Sequence, residues 1–390
     1  MIYLDYNATT PLAEPVRSAM QPYFERYYGN PSSVHRAGRE TRAAIDDARD
    51  QLASLLKVKP HELIFTSGGT ESNNLAVIGL ARSHAHKGRH LICSRAEHHA
   101  VLYAFEHLQR EGFEVTWLDV SGDGLIDVET LEHALRAETT LVSIMRANNE
   151  TGVIQSLTEI VGCCREHGVL IHSDMVQSFA KLETDLSAMN VDAASFAAHK
   201  FYGPKGSGLL YLRGGLPIER IQFGGSHEGE RRPGTENVPA IVGMAAAAQY
   251  VLEDRAVEQA RQEKLRDDLW HGIASAFPAT QLNGSARHRL ANTLNVSFPG
   301  WTSETLLMAL DLEGVCVSSG SACMVGSVVA SHVLLAMGLS PERAASAIRF
   351  SLGKETTADE IERTIEAIAR VLNRRKSRAA LPRDDGYAVV

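Results

Sequence analysis

Between about Glu62 and Leu212, short aliphatic and β-branched runs alternate with stretches in which apolar positions recur every three to four residues. The runs Leu63–Thr66, His90–Ser94, Glu114–Leu118, Leu141–Arg146, Val169–His172, Ala193–Ala197 and Gly208–Leu212 read as strands. The intervening stretches Ser72–His84, Ala100–Glu111, Val128–Arg136 and Leu157–His167 read as amphipathic helices. This alternation predicts an α/β fold with a mostly parallel, helix-covered sheet. In such sheets ligands bind beyond the carboxyl ends of the strands, so the loops that follow strands are where chemistry is expected.

A Gly/Pro-rich loop, Phe223–Pro233, is followed by one long helical pattern, Pro239–Phe277, that leads into a second unit. That unit reads as strand Thr293–Phe298, helix Thr302–Leu312, a Ser/Gly loop, helix His332–Met337, strand Ala347–Leu352 and helix Thr357–Arg370, an α+β arrangement. The expected organisation is a large domain over residues 15–255 and a smaller one built from 1–14 and 256–375. The latter carries the Ser/Gly loop with its cysteine, and residues 376–390 form a flexible tail.

The chain has 390 residues, 44% apolar and 22% charged, the usage of an ordinary globular protein. A formal net charge of −8 argues against a broad grip on nucleic acid, which needs clustered excess Lys and Arg. A small molecule or a protein is the favoured partner. The longest apolar stretches, such as Val238–Ala248, are well short of the roughly 20 residues that cross a bilayer. Met1-Ile2-Tyr3-Leu4-Asp5 has no basic segment followed by an apolar one, so no secretion is expected and the N-terminus should belong to the fold. Five cysteines without a dense spacing pattern suggest reduced thiols and a cytoplasmic protein. The adjacent Cys163 and Cys164 lie in a helical stretch and are expected simply to pack. No metal site is expected.

Three features carry candidate chemistry. Thr66-Ser67-Gly68-Gly69-Thr70-Glu71-Ser72 is a Gly-rich turn after a strand and before a helix. Its backbone N–H groups can cradle a phosphate, although the same residues also suit an ordinary turn ending in a helix cap. Asp174, at the end of an apolar strand, suits either a helix cap or a charge partner for a ligand nitrogen. His199-Lys200 closes another apolar run just before a sharp Gly203-Pro204 turn. A lysine there is either a solvated charge or, beside a desolvated pocket, an amine able to form a Schiff base. Together the three meet the demands of pyridoxal 5′-phosphate (PLP), which needs an anion site, an acid beside its pyridine nitrogen and an amine for its aldehyde.

At these residues the chain resembles the NifS/IscS-like cysteine desulfurases, fold type I PLP enzymes of the class V aminotransferase group. The resemblance runs from Tyr3-Leu4-Asp5-Tyr6-Asn7-Ala8-Thr9-Thr10 and Gly29-Asn30-Pro31-Ser32-Ser33 to Arg349-Phe350-Ser351-Leu352, nearly the whole chain. Between them lie Thr70-Glu71-Ser72-Asn73-Asn74, Glu97-His98, Asn148-Asn149-Glu150-Thr151-Gly152, His199-Lys200 and Ser318-Ser319-Gly320-Ser321-Ala322-Cys323. The resemblance implies that Lys200 carries the cofactor and shuttles the substrate Cα proton. It implies that Asp174 pairs with the pyridinium, Gln177 bonds the phenolic oxygen and His98 stacks on the ring. Gly69, Thr70 and His199 would hold the phosphate, helped by Thr235 from a second subunit of a homodimer. Asn149 would contact cofactor and substrate, and Arg349 would grip the substrate carboxylate. Cys323, in a Ser/Gly-rich segment suited to an exposed loop, would take sulfur from L-cysteine as a persulfide and pass it to acceptor proteins, an iron–sulfur scaffold among the candidates.

The chain departs from the family pattern in places. Ala197 stands where a phosphate-binding serine is common. Gly229-Glu230 replaces Arg-Gly, and Pro233 replaces serine. Met324–His332 differs from the usual sequence after the cysteine, so the acceptor cannot be copied from relatives. Selenocysteine lysis or transamination on the same cofactor, and a non-catalytic sulfur-relay scaffold, are the alternative readings.

Overall fold

The structure, a computed structural model, describes residues 1–320 and 330–379, with side chains through residue 373. In chain order the strands are β1 (Ile2–Tyr3), β2 (Leu63–Thr66), β3 (His90–Ser94), β4 (Glu114–Leu118), β5 (Thr139–Ser143), β6 (Leu170–Asp174), β7 (Ala193–Ala197), β8 (Gly208–Leu212), β9 (Gln281–Leu282), β10 (Thr293–Ser297), β11 (Val315–Cys316) and β12 (Ala347–Ser351). A seven-stranded sheet runs β2-β8-β7-β6-β5-β3-β4. It is parallel except for β8, which is antiparallel to both its neighbours. A smaller antiparallel sheet has the order β12-β10-β9, and β1 pairs in parallel with β11.

Every residue of β2, β3, β5, β7 and β8 is buried, because alternate side chains enter two different cores. Ile64, Leu91, Leu141 and Leu210 join the helices Gly69–His84 and His99–Arg110 on one face. Leu63, Phe65, Ile92, Val142 and Phe196 join the other core, which includes Ile45 and Leu52 of helix Arg36–Leu56 and Ile241 and Met244 of helix Val238–Leu252. Across three adjacent strands the buried His172 bonds Ser143 Oγ through Nδ1 (2.8 Å) and Ser195 Oγ through Nε2 (3.0 Å). Burial pushes its pKa down to about 3, so the ring is neutral and this polar row is satisfied inside the sheet.

Five strands of the large sheet coincide with the sequence reading, while the ends of β5 and β6 are displaced by one to three residues. The pattern Pro239–Phe277 is two helices, Val238–Leu252 and Arg255–Ala276, broken at Asp254. The first is apolar nearly all round and packs against helices Glu14–Met20 and Arg36–Leu56, whereas the second packs on the terminal helix Ala358–Ala379. That terminal helix continues beyond Arg370, with good helix formers but no apolar period in its last turns. Helix Arg36–Leu56, absent from the sequence reading, has an apolar stripe that is partly alanine and is diluted by charge. Among the described residues no helix is long and apolar enough to cross a membrane, and Cys93, Cys163, Cys164 and Cys316 are free thiols. Cys163 and Cys164 are buried in the core, as expected of packing residues.

The carboxyl ends of β2, β3, β5, β6 and β7 lie on one side of the large sheet, so the loops after them converge. Gly208 of β8 passes so close that a Cβ there would lie 2.5 Å from the Gly68 backbone. Gly208→Ala is therefore expected to destabilise the protein by about 1–3 kcal/mol in urea titration through overpacking.

Candidate active site

The converging loops enclose a cavity of about 370 Å³. On one side helix Gly69–His84 starts directly after β2 and presents Gly69 and Thr70 to it. The first N–H groups of a helix have no intrahelical acceptor and carry partial positive charge, which makes this end a place for an anion. A Cβ at Gly69 would lie 2.8 Å from Val176 Cγ2, so glycine is what lets the helix begin against the loop after β6. Glu71 braces the turn by accepting the Ser67 N–H (2.6 Å) and pairing with Arg232 (2.8 Å). Burial raises the Glu71 pKa, but these partners outweigh it and hold the carboxyl below its usual range. His199 lies beside the cradle, 3.2 Å from Thr9 Oγ1, with its pKa pushed down to about 4 by burial and by Lys200 and Lys205. Ala197 adds an apolar wall and no hydroxyl.

Asp174 ends β6 facing the cavity and is 5% exposed. Its Oδ1 accepts the Val176 N–H (2.9 Å) and its Oδ2 accepts Asn73 Nδ2 (2.7 Å). No helix follows for it to cap: the carboxylate organises a turn instead and still presents lone pairs to the cavity. His98 combines two roles as well. Its Nδ1 accepts the Ala100 N–H (3.1 Å), capping helix His99–Arg110, while the ring lines the cavity. Burial, helped by Lys200 and opposed by Asp174, lowers its pKa. A neutral ring with Nδ1 accepting carries its proton on Nε2. Just behind, Glu97 is fully buried and gives Oε1 to the Met145 N–H. Burial, and then the charge of Asp174, raises its pKa well above the carboxylate range.

Lys200 enters from the short 3₁₀ turn Ala198–Lys200 after β7. Its Nζ donates to the carbonyls of Asn7 (2.8 Å) and Ala8 (2.7 Å). Gln177, also lining the cavity, donates Nε2 to the same Asn7 carbonyl (2.9 Å). At the rim Arg349 of β12 is 3% exposed, not a surface arginine. It donates Nη2 to Asp5 Oδ1 (2.6 Å) and Nη1 to the Asn149 carbonyl (3.0 Å), while its Nε has no hydrogen-bond partner among the described residues. Asn149 lines the cavity beside it.

Lys200, Asp174, Gln177, His98, Gly69, Thr70, His199, Asn149 and Arg349 thus all reach one cavity. Thr235 does not line it and is exposed. Cys323 lies outside the described residues, although Gly320, three positions earlier, lines the cavity. The sequence reading gave no individual role to Asp5, Asn7, Asn73 or Lys181. Their signal would have been polarity in runs otherwise committed to burial.

Residues 2–364 match the class V aminotransferase family. The cysteine desulfurase IscS of Escherichia coli O139:H28 is 47% identical over 96% of this chain and 93% of its own length. The chain belongs to this family of desulfurases. A solved structure described as a NifS-like protein superposes with a TM-score of 0.90 at 37% identity, covering 95% of this chain and 99% of that one. A second, described as SspA in complex with cysteine, gives a TM-score of 0.81 at 36% identity over 90% of this chain and 99% of that one.

Membership of the class V family implies PLP, and the cavity fits it. A helix start where a Cβ would collide suits a phosphate. The oriented Asp174 carboxylate suits a protonated ring nitrogen. The buried Asn73 Oδ1 and Arg349 Nε, unpartnered among the described residues, are polar groups that a polar guest can complete.

Glu97 generates a pH signature. Its folded pKa stands above the unfolded value of about 4.3, so the native state keeps a proton that the unfolded chain releases, and stability is lost as pH rises from there. Glu97→Gln is neutral throughout. Its melting temperature as apoprotein, relative to wild type, should therefore improve as pH rises above about 5. A difference independent of pH would mean that Glu97 is ionised in the fold.

Proposed function

We propose that this chain is a PLP-dependent cysteine desulfurase that converts L-cysteine to L-alanine and places the sulfur on Cys323. The observation that carries this reading is the convergence of the Lys200 amine, the Asp174 carboxylate, the Gly69–Thr70 helix start and the Arg349 guanidinium on one cavity. Gly69, Thr70 and His199 hold the phosphate, His199 as a neutral imidazole. With the cofactor bound, Asp174 would keep its ring nitrogen protonated, the neutral His98 would pack against it, and Gln177 would donate to its phenolic oxygen. When bound, PLP supplies an electron sink for charge developing at the substrate Cα.

Arg349 binds the substrate carboxylate and Asn149 contacts cofactor and substrate. The Nε of Arg349 supplies one arm of a side-on fork, while Asp5 and the Asn149 carbonyl hold the rest of the guanidinium in place. Lys200 Nζ moves the Cα proton. Two backbone carbonyls keep it inside the cavity, and they carry no charge that would trap it as an ion pair. The Cys323 thiolate then attacks the substrate sulfur: an S–S bond forms as the substrate Cβ–S bond breaks, and the electron pair left on the carbon side ends, with a proton, as a C–H bond of alanine. Gly320 lining the cavity supports an approach from that segment. A homodimer is the second part of the proposal: Thr235, exposed and away from its own cavity, donates to the phosphate site of the other copy. The persulfide passes to an acceptor protein in the cytoplasm, an iron–sulfur scaffold being one candidate.

Incubation with L-cysteine should add one sulfur to the Cys323 peptide by mass measurement, and Cys323→Ala should lose both this adduct and alanine release. Unchanged alanine release from Cys323→Ala would remove the desulfurase assignment. Lys200→Ala should slow turnover by roughly 10²–10⁴-fold, the range for a lost proton-transfer group, and abolish the visible band of the lysine-bound cofactor. Arg349→Lys, which keeps the charge and loses the fork, should raise KM for cysteine about tenfold or more with a smaller change in kcat.

A further inference from the structure

Behind Gln177 stands a second lysine for which the reaction has no use. Lys181 is half-buried, four residues after Gln177 in the loop that leaves β6, and lines a smaller cavity of about 60 Å³ that also reaches Lys200. Its Nζ donates to Gln177 Oε1 (2.8 Å) and to Asn7 Oδ1 (2.9 Å). Burial, then the charges of Lys200 and Arg349, lower its pKa well below the usual lysine value. A lysine amine donates in either protonation state, and two N–H donors are all that these contacts need.

The consequence lies in the polarity of the Gln177 amide. A carbonyl can only accept, so the Gln177 atom 2.9 Å from the Asn7 carbonyl is the nitrogen. The other amide atom, 2.8 Å from Lys181, is therefore the oxygen, which can only accept, so Lys181 is the donor there. One of these contacts alone would let the amide swing about a single hydrogen bond. The two together fix its plane, and therefore the direction of the remaining Nε2–H on a residue that lines the active cavity. Asn7 is less dependent on Lys181, because Asn292 Nδ2 also donates to Asn7 Oδ1 (3.1 Å). Among the described residues, Lys181 is the hydrogen-bond donor to Gln177 Oε1 with no such second.

We propose that Lys181 is a positioning residue that locks the Gln177 side chain with a donor aimed at the cofactor's phenolic oxygen. This rests on the PLP assignment above. A donor there favours the anionic oxygen, so its loss should weaken cofactor binding and raise the pH at which the bound cofactor's visible band titrates.

The test compares apoproteins of wild type, Lys181→Met, Gln177→Leu and the double variant, titrated with PLP and followed by visible absorbance across pH. Lys181→Met should raise the Kd roughly three- to tenfold and move the band's midpoint upward by about half to one pH unit, in the same sense as Gln177→Leu. In the double variant, removing Lys181 should add little to either quantity, because its effect passes through Gln177. Lys181→Gln, able to donate to one oxygen, should be intermediate and serves if Lys181→Met does not fold. The inference is overturned if Lys181 variants lose only thermal stability while Kd and midpoint stay at wild-type values. It is equally overturned if the double variant shows the two effects in full. A Gln177→Leu protein that binds PLP like wild type would overturn it too, by removing Gln177 from the cofactor. A wild-type protein with no visible band would instead sink the cofactor assignment itself.

Discussion

An amine drawn out of bulk water into a cavity needs fixed acceptors, and here the N-terminal segment provides them. The carbonyls of Asn7 and Ala8 receive Lys200, and the Asn7 carbonyl receives Gln177 as well. Asn7 can do this because it is itself held on both sides. Its N–H donates to Ser351 Oγ and its amide bonds Thr293 and Asn292, all three on or beside the small sheet. From the large-sheet side come Lys181 and the Asn149 carbonyl. A residue 1% exposed with this many polar contacts is costly to disturb, since each group left unpaired in the interior costs about 1–3 kcal/mol.

Around that hub the charges are sorted rather than pooled. The helix start at Gly69 and Thr70 offers partial positive charge at one side, Arg349 offers a full charge at the rim, and Asp174 is the anion between the β6 end and helix Gly69–His84. His98 and His199 add no further cations, because burial and the neighbouring lysine keep both rings neutral. A guest carrying an anion at each end and a protonated nitrogen in the middle therefore has one orientation that satisfies all three.

The parts legible in the sequence are those whose logic is local. The strands were readable because runs such as Ala193–Ala197 are apolar on both faces, and the cradle and Asp174 because each directly follows or ends such a run. Arg349 was reached only through the family resemblance, because the carboxylate that holds it, Asp5, lies 344 positions away. Asn7 and Lys181 were invisible as individuals for the same reason: their meaning lies in partners brought together by the fold. His98 was reached through the resemblance as a partner of the ring, and the structure adds a helix cap through Nδ1 while the ring lines the cavity.

The threading of residues 5–8 between elements from the far end of the chain also orders events in time. Asp5 waits for Arg349, and Asn7 waits for Thr293 and Ser351, so a nascent chain that has already released its large sheet still lacks the walls around Lys200. Contacts of such long sequence separation form late. The walls around Lys200 are thus completed only after β10 and β12 have been made and docked, however early the large sheet has formed.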